Sequence, residues 1–167
     1  LSSFVQMLEE TVPNNSGRWI HYGLTSSDVL DTSLSLMCQE SIKVVMNYCG
    51  KALHTLSKRL KSEESNMRIL SRTHGKAAEI QRYYDVIYRW LSYLRKGYDS
   101  LVEAKTKISV GKMSGASGNY NFSSLQNEAN SLRLLGLKSI PSSQIVPRQY
   151  YLDYFYGLLQ VVLAVEK

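Results

Sequence analysis

Apolar residues recur along most of this chain at steps of three and four, the spacing that lines one face of an α-helix. In 1–11, Leu1, Phe4, Val5 and Leu8 fall at i, i+3, i+4 and i+7. A long helix is predicted from about Ser27 to Ser62. There Val29, Leu30, Leu34, Met37, Cys38, Ile42, Val45, Cys49, Leu53, Leu56 and Leu60 keep the period, with only Gly50 as a weak point. Its first residues, SSDVLD, offer capping side chains and acids suited to the positive end of the helix dipole. A second long helix is predicted over 77–109, carried by Ile80, Tyr83, Tyr84, Ile87, Tyr88, Leu91, Leu94, Tyr98 and Leu101. A shorter one fits Ser124–Leu135, closed by Gly136. The last starts near Pro147, which the first turn tolerates, and runs to the end of the chain.

No strand alternation persists and no hairpin signal appears. The expected fold class is therefore all-α, and helices of thirty-odd residues suit an elongated helical bundle. Their broad apolar faces imply close packing within the chain or against other subunits. Between the helices, VPNNSGRW (12–19) reads as a loop. KSEESNMRILS (61–71) reads as a polar connection with a short apolar segment at Met67–Leu70. GKMSGASGNYN (111–121) reads as a tight turn, and LKSIPSSQIVP (137–147) as extended or irregular. The chain opens without Met in mid-pattern and closes on VVLAVEK with no helix stop, so a piece of a longer protein is expected.

Composition narrows the class. With 167 residues, 44% hydrophobic and 20% charged, the chain can bury a core and is not disordered. Its net charge of +6 is spread among acids and apolar residues through 51–112, as on solvated helix faces, and no nucleic-acid-binding signature accompanies it. No apolar run approaches a membrane span, and YYLDYFYGLLQVVLAV is interrupted by Asp153 and Gln160. Cys38 and Cys49 are eleven residues apart, about 16 Å along one helix. A disulfide needs Cα atoms within about 7 Å, so free thiols and a cytoplasmic setting are expected.

Three polar stretches could carry chemistry. HYGLTSSDVLDT (21–32) places Thr25, Ser26 and Ser27 at a helix start, where hydroxyls and N–H groups either cap the helix or hold a carboxylate or phosphate. SRTHGKAAE (71–79) holds His74 before a predicted helix start, next to a flexible glycine. It is either a plain loop histidine or a group that exchanges a proton near neutral pH. No second histidine lies at metal-ligand spacing, so no metal and no cofactor is predicted. His54, inside a helix, reads as structural or solvated. GKMSGASGNYNF (111–122) can admit an anion to its backbone or simply turn the chain; it lacks the phosphate-loop pattern.

Taken in order, these stretches resemble the signatures of the adenylosuccinate lyases of the fumarase/aspartase superfamily. RWIHYGLTSSDVLDT (18–32) resembles the first signature and SRTHGKAAE the second. KMSGASGNYNF (112–122) resembles a glycine-rich turn, and SSQIVPRQYYLDY (142–154) a segment opening the next bundle helix. The resemblance covers nearly the whole chain. It implies that 1–26 ends a small helical domain and that 27–167 is part of a central helical bundle. It implies a homotetramer with active sites shared between subunits and a small nucleotide as substrate, with neither nucleic acid nor membrane as partner. The reaction implied is elimination of fumarate from adenylosuccinate, giving AMP, and from the succinylated carboxamide ribotide of purine biosynthesis.

By position, His74 corresponds to the general acid that protonates the departing nitrogen. Thr25 and Ser26 correspond to the pair binding the succinyl portion, and Gln144 to a substrate contact. His21 and Thr73 lie beside the motifs as supporting residues. The loop that carries the base serine, GSSxMPxKxNP, does not occur in the chain. Other departures are Ile80, Gln81 and Arg82 in place of Pro-Thr-Thr, Asn119 and Tyr120 after Gly118 in place of threonine, and Gln149 in place of aspartate. The first of these falls on the wall expected beside His74. A non-catalytic helical oligomerisation module, a degenerate paralogue or a sister lyase such as a carboxymuconate cycloisomerase are the alternatives.

Overall fold

The computed structural model describes residues 2–167; Leu1, the first expected apolar position, lies outside them. Five helices dominate: α1 (Ser2–Thr11), α2 (Ser26–Leu60), α3 (Tyr83–Lys107), α4 (Leu125–Leu134) and α5 (Gln149–Val165). The all-α class holds, and four of the five helices begin and end within about two residues of where periodicity and capping place them. Ser124 caps α4 by accepting the Asn127 N–H at 3.2 Å, and Gly136 follows its end at φ 71°. Asp28 in the first turn of α2 and Lys58 and Arg59 in the last complement its dipole.

The expectation of no hairpin is overturned. Residues 68–82 form two antiparallel strands, β1 (Arg68–Thr73) and β2 (Lys76–Arg82), paired from Arg68↔Arg82 to Thr73↔Lys76. The second long helix therefore starts at Tyr83, not at Ala77. Two further two-residue strands, β3 (Val110–Gly111) and β4 (Lys138–Ser139), pair in parallel inside the stretches read as irregular. Short 3-10 turns occupy Ser16–Trp19 and Glu63–Asn66.

The chain divides into two compact units. One consists of the chain up to Gln39 together with Lys107–Tyr151, the other of Glu40–Thr106 together with Leu152–Lys167. In the first, Ile108, Val110, Leu132, Leu137, Ile140 and Val146 are buried, and so are the polar side chains of Asp28, Asp31, Thr32, Lys112 and Glu128. In the second, Ile42, Cys49, Ile87, Leu94, Leu101 and Ala104 form the core. There α3 and α5 approach closely through glycines. A Cβ on Gly97 would come 3.1 Å from Val161 Cα, and one on Gly157 would meet Ala104 Cβ at 3.0 Å. Tyr154 on α5 also hydrogen-bonds Ser41 on α2 at 2.8 Å. Neither Cys38 nor Cys49 forms a disulfide, and burial pushes both thiols up from their ordinary range, away from the reactive thiolate.

Candidate active site

The start of α2 carries one half of a capping box, with an acid in the third helical position. Thr25 precedes the helix, and its N–H donates to Asp28 Oδ2 at 2.8 Å. The hydroxyls of Thr25 and Ser26 make no hydrogen bond among the described residues, and Thr25 O rather than a side chain takes the Asp28 N–H, at 3.1 Å. Two uncommitted hydroxyls thus stand at the positive end of a 35-residue helix, a ready anion site. The cap lies at Thr25, two residues before the start predicted at Ser27. His21, with φ 64°, is half-buried, and its Nε2 is buried with no hydrogen-bond partner.

The third and fourth motif stretches are tied to the same helix turn. Lys112 Nζ pairs with Asp28 Oδ1 and donates to Gly115 O at 3.1 Å. Gly115 N donates to Asp28 Oδ2 at 3.1 Å. Thr32 exchanges two hydrogen bonds with the Lys112 backbone, at 3.1 and 3.2 Å. One turn on from Asp28, Asp31 receives Val146 N and Arg148 Nη1, each at 2.8 Å. That contact holds the Arg148 guanidinium above its ordinary pKa and fixes the segment carrying Gln144. Gln144 itself is exposed. No hydrogen bond joins the side chains of Thr25, Ser26 and Gln144 to one another among the described residues.

Glu128, from α4, braces the glycine-rich turn from its other side. It accepts Met113 N at 2.6 Å, Tyr120 Oη at 2.7 Å and Ser139 Oγ at 2.5 Å. Burial, and then the carboxylate beside it, push the Tyr120 phenol up to about 12. Between Gly23, Leu24, Gly115, Ser117, Asn119 and Phe122 lies a cavity of about 300 Å³ in which the first and third stretches meet.

In the second unit, His74 is not before a helix but at the tip of the β1–β2 hairpin. The two-residue loop His74-Gly75 has φ 50° and 75°, the two positive values that a type I′ turn needs. Thr73 closes the turn opposite Lys76. Both faces of the hairpin are largely exposed, and His74 makes no hydrogen bond among the described residues. The departures at 81–82 anchor its base to α3. Arg82 grips Asp85 through two hydrogen bonds of 3.0 and 2.9 Å, and Arg89 donates to Gln81 at 2.8 Å. An open groove of about 720 Å³ on α2 and α3 is lined by Lys43, Lys51, His54, Tyr98 and Lys105 and holds none of the predicted site residues. No cluster of three or more His, Cys, Asp or Glu able to hold a metal occurs among the described residues.

Sequence reasoning singled out the hydroxyls and the histidine, read Asp28 and Asp31 only as helix-start acids, and passed over Lys112 and Glu128. A weak signal was present: SSDVLD carries acids at i and i+3, which one helix turn brings to the same face. Nothing in the sequence marked their partners.

A family model described as "Lyase" matches residues 2–162. The adenylosuccinate lyase of Aquifex aeolicus (strain VF5) is 35% identical over 166 residues, which are 99% of this chain and 38% of that protein. That of Thermotoga maritima is 35% identical over 170 residues, with the same coverage. That of Archaeoglobus fulgidus is 32% identical over 154 residues, 90% of this chain and 34% of that protein. The chain thus spans well under half the length of these relatives. Among solved structures, a fumarate lyase from Mesorhizobium sp. BNC1 superposes with a TM-score of 0.85 at 20% identity, covering 98% of this chain and 39% of that one. A 3-carboxy-cis,cis-muconate lactonizing enzyme from Pseudomonas putida superposes at 0.82 and 22% identity, covering 98% and 38%. These two likenesses speak to the fold. With the match across 2–162 and the named relatives together, the chain belongs to the lyase family of the fumarase/aspartase superfamily that contains the adenylosuccinate lyases.

Proposed function

We propose that this chain is part of an adenylosuccinate lyase and supplies the proton donor and the anion-binding hydroxyls of the reaction. The observation that carries the reading is the 35% identity to an adenylosuccinate lyase across 99% of the chain. In the proposed reaction a base removes a proton from Cβ of the succinyl group, electrons move to form the fumarate double bond, and the C–N bond breaks. His74 donates its proton to the departing nitrogen, giving AMP from adenylosuccinate or the free carboxamide ribotide from its succinylated form. An exposed imidazole at a fixed hairpin tip, with no partner of its own, is available for that task. Thr25 and Ser26 hold the succinyl carboxylate while negative charge develops, and Gln144 contacts substrate. His21 and Thr73 support these groups. The base is a serine supplied from outside these residues, because its signature does not occur in 1–167.

The complete protein works as a homotetramer in the cytoplasm, and the reading includes shared active sites. Exposed Leu152, Phe155, Tyr156, Leu159, Val162 and Leu163 along α5 support assembly, since apolar residues in such density mark a surface that another protein covers.

The test is turnover of adenylosuccinate by the complete protein. His74→Gln is expected to lower kcat by about 10²- to 10⁴-fold, the range for loss of a general acid, with tetramer size unchanged by light scattering. Turnover near that of the unaltered protein would overturn the assignment of the acid. Product analysis with adenylosuccinate and with a carboxymuconate lactone separates this reading from the sister lyase.

A further inference from the structure

We infer that Asp28 and Lys112 are a positioning pair for the carboxylate-binding hydroxyls of Thr25 and Ser26, an inference that rests on the role proposed for those two residues. Asp28 and Lys112 are fully buried, at 1% and 0% exposure, so neither reaches a substrate. Burying two charges is costly, and an apolar pair of similar volume commonly serves stability as well or better. What an apolar pair cannot do is accept N–H groups.

Asp28 Oδ2 takes the N–H of Thr25 at 2.8 Å and that of Gly115 at 3.1 Å, while Lys112 holds Oδ1 and caps Gly115 O at 3.1 Å. One carboxylate therefore fixes the first turn of α2 and the glycine-rich turn to each other, across 87 positions of sequence. Two consequences follow for the anion site. Asp28 holds the backbone N–H of Thr25 and so sets the turn on which the hydroxyls of Thr25 and Ser26, without hydrogen bonds of their own among the described residues, stand open to a ligand. Lys112 also cancels a negative charge that would otherwise stand one helical turn from a bound carboxylate and repel it.

The test uses the complete protein with Asp28→Asn/Lys112→Met and Asp28→Glu. The double variant removes both charges and avoids a buried unpaired one. It is expected to keep the thermal midpoint within a few degrees while raising both the KM for adenylosuccinate and the inhibition constant for fumarate by at least about 10-fold. The change in kcat is expected to be smaller. Asp28→Glu keeps the ion pair but moves the carboxylate by one methylene, and it is expected to show the same loss of binding. Amide hydrogen exchange at Thr25 and Gly115 should be slow in the unaltered protein and faster by at least about 10-fold in both variants.

A folded double variant, or a folded Asp28→Glu, with unchanged KM, fumarate inhibition and Thr25 exchange overturns the inference. So does rapid Thr25 exchange in the unaltered protein, a measurement that needs no variant to fold. If the unaltered protein releases no fumarate from either succinyl nucleotide, the proposed function fails. The exchange rates then still decide whether Asp28 and Lys112 hold the two turns together.

Discussion

Tyr120, two residues after Gly118, adopts φ 58°, and its hydroxyl lies 2.7 Å from Glu128. Its phenol stays protonated well above the ordinary value of 10.0, to about 12, because burial and the adjacent carboxylate both oppose phenolate. A raised folded-state pKa means that the folded state keeps a proton which the unfolded chain loses. The stabilising contribution is therefore complete below about pH 10 and is lost as pH rises towards about 12. Tyr151, pushed in the same direction chiefly by burial, adds to that alkaline loss. Tyr120→Phe is expected to cost about 1–2 kcal/mol at neutral pH through the lost hydrogen bond. The same variant should flatten the fall in urea midpoint between about pH 10 and 12. An alkaline profile parallel to that of the unaltered protein would remove Tyr120 as its source.

The hairpin is the element that presents His74, and Gly75 is its weakest joint. A Cβ there meets nothing within 4 Å, so a substitution is felt through φ 75° alone. Gly75→Ala should cost about 1 kcal/mol in the complete protein and lower turnover by disturbing the turn. Gly75→Asn should come close to the unaltered protein in both, since asparagine visits this conformation more readily. Equal behaviour of the two variants in thermal unfolding and turnover would show that the turn is not under this constraint.

The hairpin was also the least legible element. Its strands are exposed on both faces, so no buried side enforces alternation. Ala77, Ala78 and Ile80 fit a helical period equally well, and His-Gly is not among the strong hairpin dipeptides. The helices were legible because each buries one stripe, and the start of α4 was legible from Ser124. The helix start at Thr25 and Ser26 was legible in the sequence, while the buried residues packed behind it were not visible.

At the scale of the whole molecule, two compact units share the helices α2, α3 and α5 along the chain, and each carries part of the candidate chemistry. Thr25, Ser26, His21 and Gln144 belong to the first, and Thr73 and His74 to the second. Under the proposed assembly, complementary defects can meet in one active site. Mixing complete His74→Gln and Thr25→Ala proteins after reversible dissociation is expected to recover turnover that neither shows alone. No recovery, with mixed tetramers demonstrated by mass spectrometry, would count against shared sites.

The sequence by itself determined what depends on neighbours three or four residues away. That includes the helical class, the long α2, the cap at the start of α4, and two thiols too far apart along one helix to bond. It also offered His74, Thr25 and Ser26 as candidates, because their motifs are contiguous. The tertiary structure alone decided what the acids of α2 do. Asp28 and Asp31 look like helix-end acids in the sequence, but their partners Lys112 and Arg148 lie 84 and 117 residues away. Burial turns each from a solvated charge into a junction between motifs. It decided likewise that residues 77–82 pair as a strand, since a backbone ladder to 68–73 satisfies their N–H and C=O groups without burying a face.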